Sequence, residues 1–297
     1  MPEPLDSLSP FTFGCMSLGR QPEDFERDMR VARAAMEAGC WFHASQEYGG
    51  GGTFMILRHA FDENRARVPK IILKIRCDHA AILKFDVEDA LRRLKIDRID
   101  LAQLCRAKHD RRPVVDDFFA RGEMWEVCRK FQEEGKVGQF VLEIFASFSP
   151  DAIRAVQADL FPGYIFYFSP SERQVSNELF DLLQSRKEPL LSLRTMGGGW
   201  LDPARIEALR AKEPQHPLIG RFEELRVLYG KSGCASWPEF SFSFLKSIPH
   251  LRTSIAGTAN LDHLRELLDA DRNAKPMAEE LSSEIQALHH RWFANIV

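Results

Sequence analysis

Phe42-His43-Ala44-Ser45-Gln46-Glu47-Tyr48-Gly49-Gly50-Gly51-Gly52 joins a short apolar run to a loop of four glycines. The run at 40–45 is brief, apolar and followed by loop residues, which predicts a strand. Seven further runs share that character, at 11–17, 70–76, 100–105, 139–144, 164–169, 189–194 and 252–257. Helical patterns lie between them. Residues 24–38 place Phe25, Met29, Ala32 and Met36 on one stripe. Residues 114–134 repeat apolar positions until Gly135, a natural helix stop. Eight strand-like runs with intervening helices predict an α/β fold, the (β/α)8 TIM barrel, whose usual size is ~250 residues. A doubly wound open sheet fits the same alternation. No Gly-x-Gly-x-x-Gly follows the first strand, so the dinucleotide fingerprint of that fold is missing. Residues 202–220 read as an insertion with a short helix around 206–211. Residues 277–293 read as an extra C-terminal helix. A single domain over 1–297 is expected.

Composition narrows the function. A net charge of −3 gives no basic footprint for nucleic acid. The densest basic cluster, 106–112, reads as a solvated loop. No run reaches ~18 apolar residues, so no membrane span is expected. Residues 1–6 lack the basic and apolar regions of a signal peptide. Cys15, Cys40, Cys77, Cys105, Cys128 and Cys234 are scattered without paired spacing. That argues against a disulfide framework or a zinc site and predicts a reducing cytoplasm. No metal is expected.

In a barrel of this kind the reactive groups stand at the C-terminal ends of the strands. Those ends carry Cys15, His43, Lys74 with Arg76, Cys105, Glu143, Tyr167 and Arg194, with Tyr48 on the second loop. A phenol titrates near ~10, and a neighbouring ammonium favours its ionised form. Tyr48 beside Lys74 is therefore a candidate proton-transfer pair. The structural alternative is a loop aromatic and a strand lysine paired to any acid. Arg194 suits a carboxylate or phosphate; its alternative is an ion pair with Glu143 or another acid. Trp200, on the long seventh loop, suits a substrate lid. Trp41 and His43 fall on one face of their strand and Phe42 on the other.

The stretch 42–52 resembles the active-site segment of the aldo-keto reductases, Phe-Asp-Thr-Ala-x-x-Tyr-Gly-x-Gly. Further likeness lies in Phe13-Gly14-Cys15-Met16-Ser17-Leu18-Gly19, Leu94-Lys95-Ile96-Asp97-Arg98-Ile99-Asp100-Leu101, Glu134-Gly135-Lys136-Val137 and Gly257-Thr258-Ala259-Asn260-Leu261-Asp262-His263-Leu264. Their order spans most of the chain. The resemblance implies NADPH-dependent carbonyl reduction, in which a Tyr gives the proton, a Lys tunes it, an Asp holds the Lys and a His orients the substrate. Tyr48 and Lys74 match the first two. His43 stands at the Asp position and Cys105 at the His position.

These departures carry consequences. Lys74 is expected to lose its anchoring charge. A neutral His43 can accept its hydrogen bond, whereas a protonated one repels it. Cys105 is a poor donor and reads either as an inert thiol or as a nucleophile favoured by nearby positive charge. Where the family has Gly-Val-Ser-Asn, this chain has Val141-Leu142-Glu143-Ile144, so the two groups that hold the nicotinamide carboxamide are replaced. The nicotinamide-stacking tyrosine aligns near Leu193, the strand-six Gln near Ile165, and the adenine-contacting Asn at Leu267. Gly257, Thr258 and Glu266 fit the eighth-loop cofactor pattern, where helix-start amides can hold a phosphate. The same glycine can equally serve fold geometry.

Three functions follow. First comes a non-redox acid–base enzyme, an isomerase, dehydratase or lyase type acting on a small polar metabolite, with no cofactor. The second is an NADPH-dependent reductase of a small aldehyde or ketone. The third is a non-catalytic protein that uses the barrel to bind a protein partner or to regulate.

Overall fold

The computed structural model describes residues 4–105, 114–145 and 149–294. Its barrel strands are β1 (Phe11–Gly14), β2 (Trp41–Ser45), β3 (Ile71–Arg76), β4 (Ile99–Cys105), β5 (Val137–Glu143), β6 (Tyr164–Ser169), β7 (Leu190–Leu193) and β8 (Leu251–Ala256). All neighbours pair in parallel. The pairing of Leu142 and Glu143 with Tyr164 and Ile165 joins β5 to β6 and closes the ring. Helices surround it. The fold is the α/β TIM barrel expected from the sequence, and its extra C-terminal helix runs Glu279–Trp292.

Strand alternation builds the site. Trp41, Ile72, Leu101, Val141, Ile165 and Leu191 face inward and form one apolar floor with Leu193 and Ile255. Their chain neighbours Phe42, Leu73, Ala102, Leu142 and Phe166 face outward and pack under the helices. Trp41 and Phe42 thus diverge as the period of two requires. Two residues further along, the inward positions are His43, Lys74, Gln103, Glu143 and Tyr167. Register lines them up, with Ser45 opposite Lys74 and Lys74 opposite Gln103. An apolar floor therefore carries a polar layer at the C-terminal ends. Leu5, in the turn Pro4–Ser7, joins the floor from the opposite end, and its N–H donates to Gln139 Oε1 at 3.0 Å.

Three local expectations change. The helix expected over 114–134 is two, Val114–Phe119 and Glu123–Glu133. The break lies at Arg121, with φ of 51°, and Asp117 Oδ1 then accepts from the N–H groups of Met124 and Trp125. A side chain that caps a new helix start ends the first helix in favour of a second. The first strand stops at Gly14, and Cys15 opens a 3-10 turn, fully buried. The insertion helix is longer than expected, Pro203–Lys212, because Asp202 caps it by accepting from Ala204 N. The basic cluster 106–112 lies outside the described residues. Among the described residues no helix is long and apolar enough to cross a membrane.

Candidate active site

Lys74 is anchored after all, from a different strand. Its Nζ donates to Glu143 Oε1 at 3.1 Å, across the barrel layer from β3 to β5. The Lys74 side chain is 18% exposed and that of Glu143 2%. The expected loss of the anchor fails because the carboxylate has moved from the second strand to the fifth. Burial pulls the Lys74 ammonium down, but Glu143 and Tyr48 outweigh it, and its pKa stands above the ordinary value. Lys74 is a fixed positive charge.

His43 does not take the anchoring role. Its Nε2–H donates to Gln103 Oε1 at 2.7 Å, and both side chains are buried. Burial first, then the Lys74 charge, pull its pKa down to about 3, so the ring is neutral. Gln103 was missed in the sequence. It occupies the inward position two residues before Cys105, so strand alternation from Leu101 identifies it. Its amide Nε2 is buried without a hydrogen-bond partner among the described residues, and an unpartnered donor of this kind costs about 1–3 kcal/mol. Cys105 ends β4, half-buried. Burial, then Glu143, push its thiol far up, and Lys74 only partly offsets them. This is the environment of an inert thiol rather than of the nucleophile weighed above.

Tyr48 opens the turn Tyr48–Gly51 at the end of the β2 loop. Its ring centroid is 6.3 Å from that of His43. Lys74 does draw its pKa down, as expected, but the net direction is upward. Burial leads, and Glu143, Tyr167 and Cys105 add to it. The physical reason is that burial of the phenol outweighs the pull of Lys74, and Glu143 offsets part of that pull as well. Tyr48 is thus a neutral phenol, suited to give a hydrogen bond or a proton.

Tyr167 continues the layer on β6. Its ring meets Phe145 edge-on at 5.3 Å, and the Arg194 guanidinium lies over it at 4.9 Å. Arg194, just past β7, pairs with Glu172 at 3.1 Å, so the acid is Glu172 and not Glu143. The structure thus brings together Tyr48, Lys74, His43, Cys105 and Glu143, and sets Arg194 beyond Tyr167. Trp200 follows the Gly197–Gly199 turn, and its ring stacks on His216 with centroids 6.5 Å apart. An open hollow lined by Ala80, Lys84, Arg121, Glu123 and Val127 lies on the helical layer, away from this chemistry. Among the described residues no group of His, Cys, Asp and Glu is arranged to hold a metal.

Residues 10–289 match the model of the Aldo/keto reductase family. The chain belongs to that family. Among solved structures it is similar to an aldo-keto reductase from Bacillus halodurans in its holo form, with 21% identity and a TM-score of 0.71 over 95% of this chain and 92% of that one. It is also similar to a Klebsiella pneumoniae aldo/keto reductase in complex with NADP and acetate, with 17% identity and a TM-score of 0.67 over 95% and 91%. A further structure of a Klebsiella pneumoniae aldo-keto reductase, in complex with NADPH, gives 16% and 0.69 over the same shares. No curated protein matches the chain. At these identities the likeness is one of fold.

The aldo/keto reductase positions for NADP(H) fit the cofactor poorly in this chain. Glu143 is committed to Lys74, and Ile144 is buried and apolar. Ile165 and Leu193 belong to the apolar floor. Past β8, the helix Leu261–Asn273 begins with Asn260, whose Oδ1 accepts from the N–H groups of Asp262 and His263. Two of the amides that a phosphate would use are therefore taken internally. Thr258 Oγ1 accepts from Asn260 N at 3.0 Å, and Glu266 is exposed in the second turn of the helix. Gly257 answers to fold geometry, since a Cβ there would meet the Gly14 carbonyl oxygen at 1.8 Å.

Proposed function

We propose that the barrel mouth is a non-redox acid–base site, of isomerase, dehydratase or lyase type, acting on a small polar metabolite. The observation that carries this reading is the Lys74–Glu143 pair. One substitution restores the charge partner of Lys74 and removes a donor from the position where the family holds its nicotinamide. Tyr48, a neutral phenol, gives a proton or hydrogen bond to an oxygen on which negative charge develops. Lys74 stabilises that charge. The free amide of Gln103 is a second donor in the same layer. Glu143 holds Lys74 and has a second oxygen with which to accept a proton.

The test is exchange of carbon-bound hydrogen for deuterium in D2O, followed by NMR on a panel of small oxo and hydroxy acids without added cofactor. Exchange that vanishes in Tyr48→Phe is the expected result. The reductase reading is favoured by the solved relatives in complex with NADP and NADPH. Micromolar NADPH binding, with oxidation of NADPH by a carbonyl compound, would establish it instead and overturn the proposal.

A further inference from the structure

Two arginines stand at strand ends of this mouth, and they are committed very differently. Arg76 donates from Nε and Nη2 to Asp86 at 2.9 and 2.7 Å, a closed bidentate pair. Arg194 has only the 3.1 Å ion pair with Glu172, and its guanidinium makes no hydrogen bond among the described residues. Beyond the Nη1 atom that faces Glu172, its remaining N–H donors make no hydrogen bond among the described residues, and its side chain is 35% exposed. The backbone holds it there in the left-handed region, with φ of 57°, a conformation a side-chain-bearing residue adopts at a cost. Gly198 leaves room for it: a Cβ there would meet Nη2 at 2.1 Å.

Glu172 is not bound to Arg194 alone. Gln174 Nε2 donates to its Oε1 at 2.7 Å, and its Oε2 is buried without a partner among the described residues. Arg221, on the helix Pro217–Ser232, also favours its ionised form. Glu172 therefore keeps cationic company if Arg194 turns away. Tyr167 lies under the Arg194 guanidinium and is within the fields of both ionic couples, Lys74 with Glu143 and Arg194 with Glu172.

We infer that Arg194 is a carboxylate clamp that exchanges Glu172 for the substrate, so that the acid–base site acts on small oxo or hydroxy carboxylates. The inference rests on the acid–base reading and names its substrate class. The substrate carboxylate takes two N–H donors of the planar guanidinium, a fit that an ammonium cannot reproduce. The reacting oxygen then lies across Tyr167, toward Tyr48 and Lys74.

The experiment is calorimetric titration of the full chain with 2-oxobutanoate, with its neutral methyl ester, and with inorganic pyrophosphate. Arg194→Met is expected to weaken 2-oxobutanoate roughly tenfold or more and to leave the ester unchanged. Glu172→Gln, which removes the competing carboxylate, is expected to tighten it several-fold. Two-state unfolding of each variant controls for folding. Binding of 2-oxobutanoate within twofold of the parent in Arg194→Met overturns the clamp. So does an Arg194 dependence seen with pyrophosphate alone, which would assign the guanidinium to a phosphate. Repeating the titration in Tyr48→Phe separates the two proposals. Arg194-dependent binding without deuterium exchange in the parent sinks the acid–base reading and spares the clamp; exchange indifferent to Arg194 does the reverse.

Discussion

The two sides of the barrel mouth handle charge in opposite ways. On the side of β2 to β5, a cation and an acid meet within the buried layer, beside a neutral histidine. On the side of β6 and β7, Arg194 and Glu172 meet at the rim with poorer hydrogen-bond geometry and more solvent. The first arrangement fixes a field for chemistry. The second, on the proposed reading, lets a cation exchange its partner for a substrate. A fully buried pair is expensive to break, whereas a pair whose cation reaches solvent costs less to rearrange.

The largest expected effect comes from breaking the buried side. Glu143→Leu leaves the Lys74 ammonium without its carboxylate in a layer where water is scarce. The expected loss is about 3 kcal/mol of unfolding free energy by urea titration at neutral pH. Adding Lys74→Met should recover most of it, since two apolar groups replace two charges. Failure of the double variant to recover would mean that packing, and not charge, dominates this side.

The buried histidines give the next effect. The folded pKa of His43 is about 3, and that of His289 is also about 3 through burial. Unfolded imidazole titrates near ~6.5. Between those values the unfolded chain binds a proton that the native chain does not, so stability rises with pH. The contribution is complete above the unfolded value and is lost as pH falls toward 3. From pH ~6.5 to pH ~5 each histidine should remove roughly 2 kcal/mol. His43→Gln, which can still bond Gln103, should halve that loss in urea titrations at the two pH values. An unchanged slope would place a charged imidazole in the layer and break the contrast between the sides.

A smaller effect tests the field itself. Because burial and Glu143 outweigh the pull of Lys74, Tyr48 should contribute no phenolate in the range where ordinary tyrosines titrate. The absorbance rise near 295 nm between about pH 9 and about 11 should then be the same in the parent and in Tyr48→Phe. A drop equal to one tyrosine would show that Lys74 acts without its counterweight.

The barrel was legible because its signals are local. Short apolar runs, the stop at Gly135 and the apolar helical stripes each act within a few residues. The facing of Trp41 and Phe42 followed from alternation alone. The wiring of the site was less legible. Which acid meets Lys74 depends on a contact across the barrel, 69 residues apart in sequence. The partner of Arg194 lies in a two-residue strand, Glu172–Arg173, that folds back on β6 beyond the strand ends. Gln103 was readable in principle, since Leu101 fixes the inward face of β4, but attention to titratable groups passed over an amide. The split of 114–134 turned on the side chain of Asp117, whose capping geometry no periodicity reveals.

The smallest expected effect lies on the open side. Glu172 has a 14% exposed side chain, and burial raises its pKa, with Arg194 the first group to oppose that rise. Removing it by Glu172→Gln leaves Arg194 able to turn its charge to water, and keeps a side-chain oxygen for Gln174 to bond. The expected change in unfolding free energy is under about 1 kcal/mol, far below that of Glu143→Leu. A loss as large as that of the buried pair would mean that Glu172 locks Arg194 as part of the fold. The rim cation would then be no freer than Lys74, and the division of the mouth into a fixed side and a responsive side would fall.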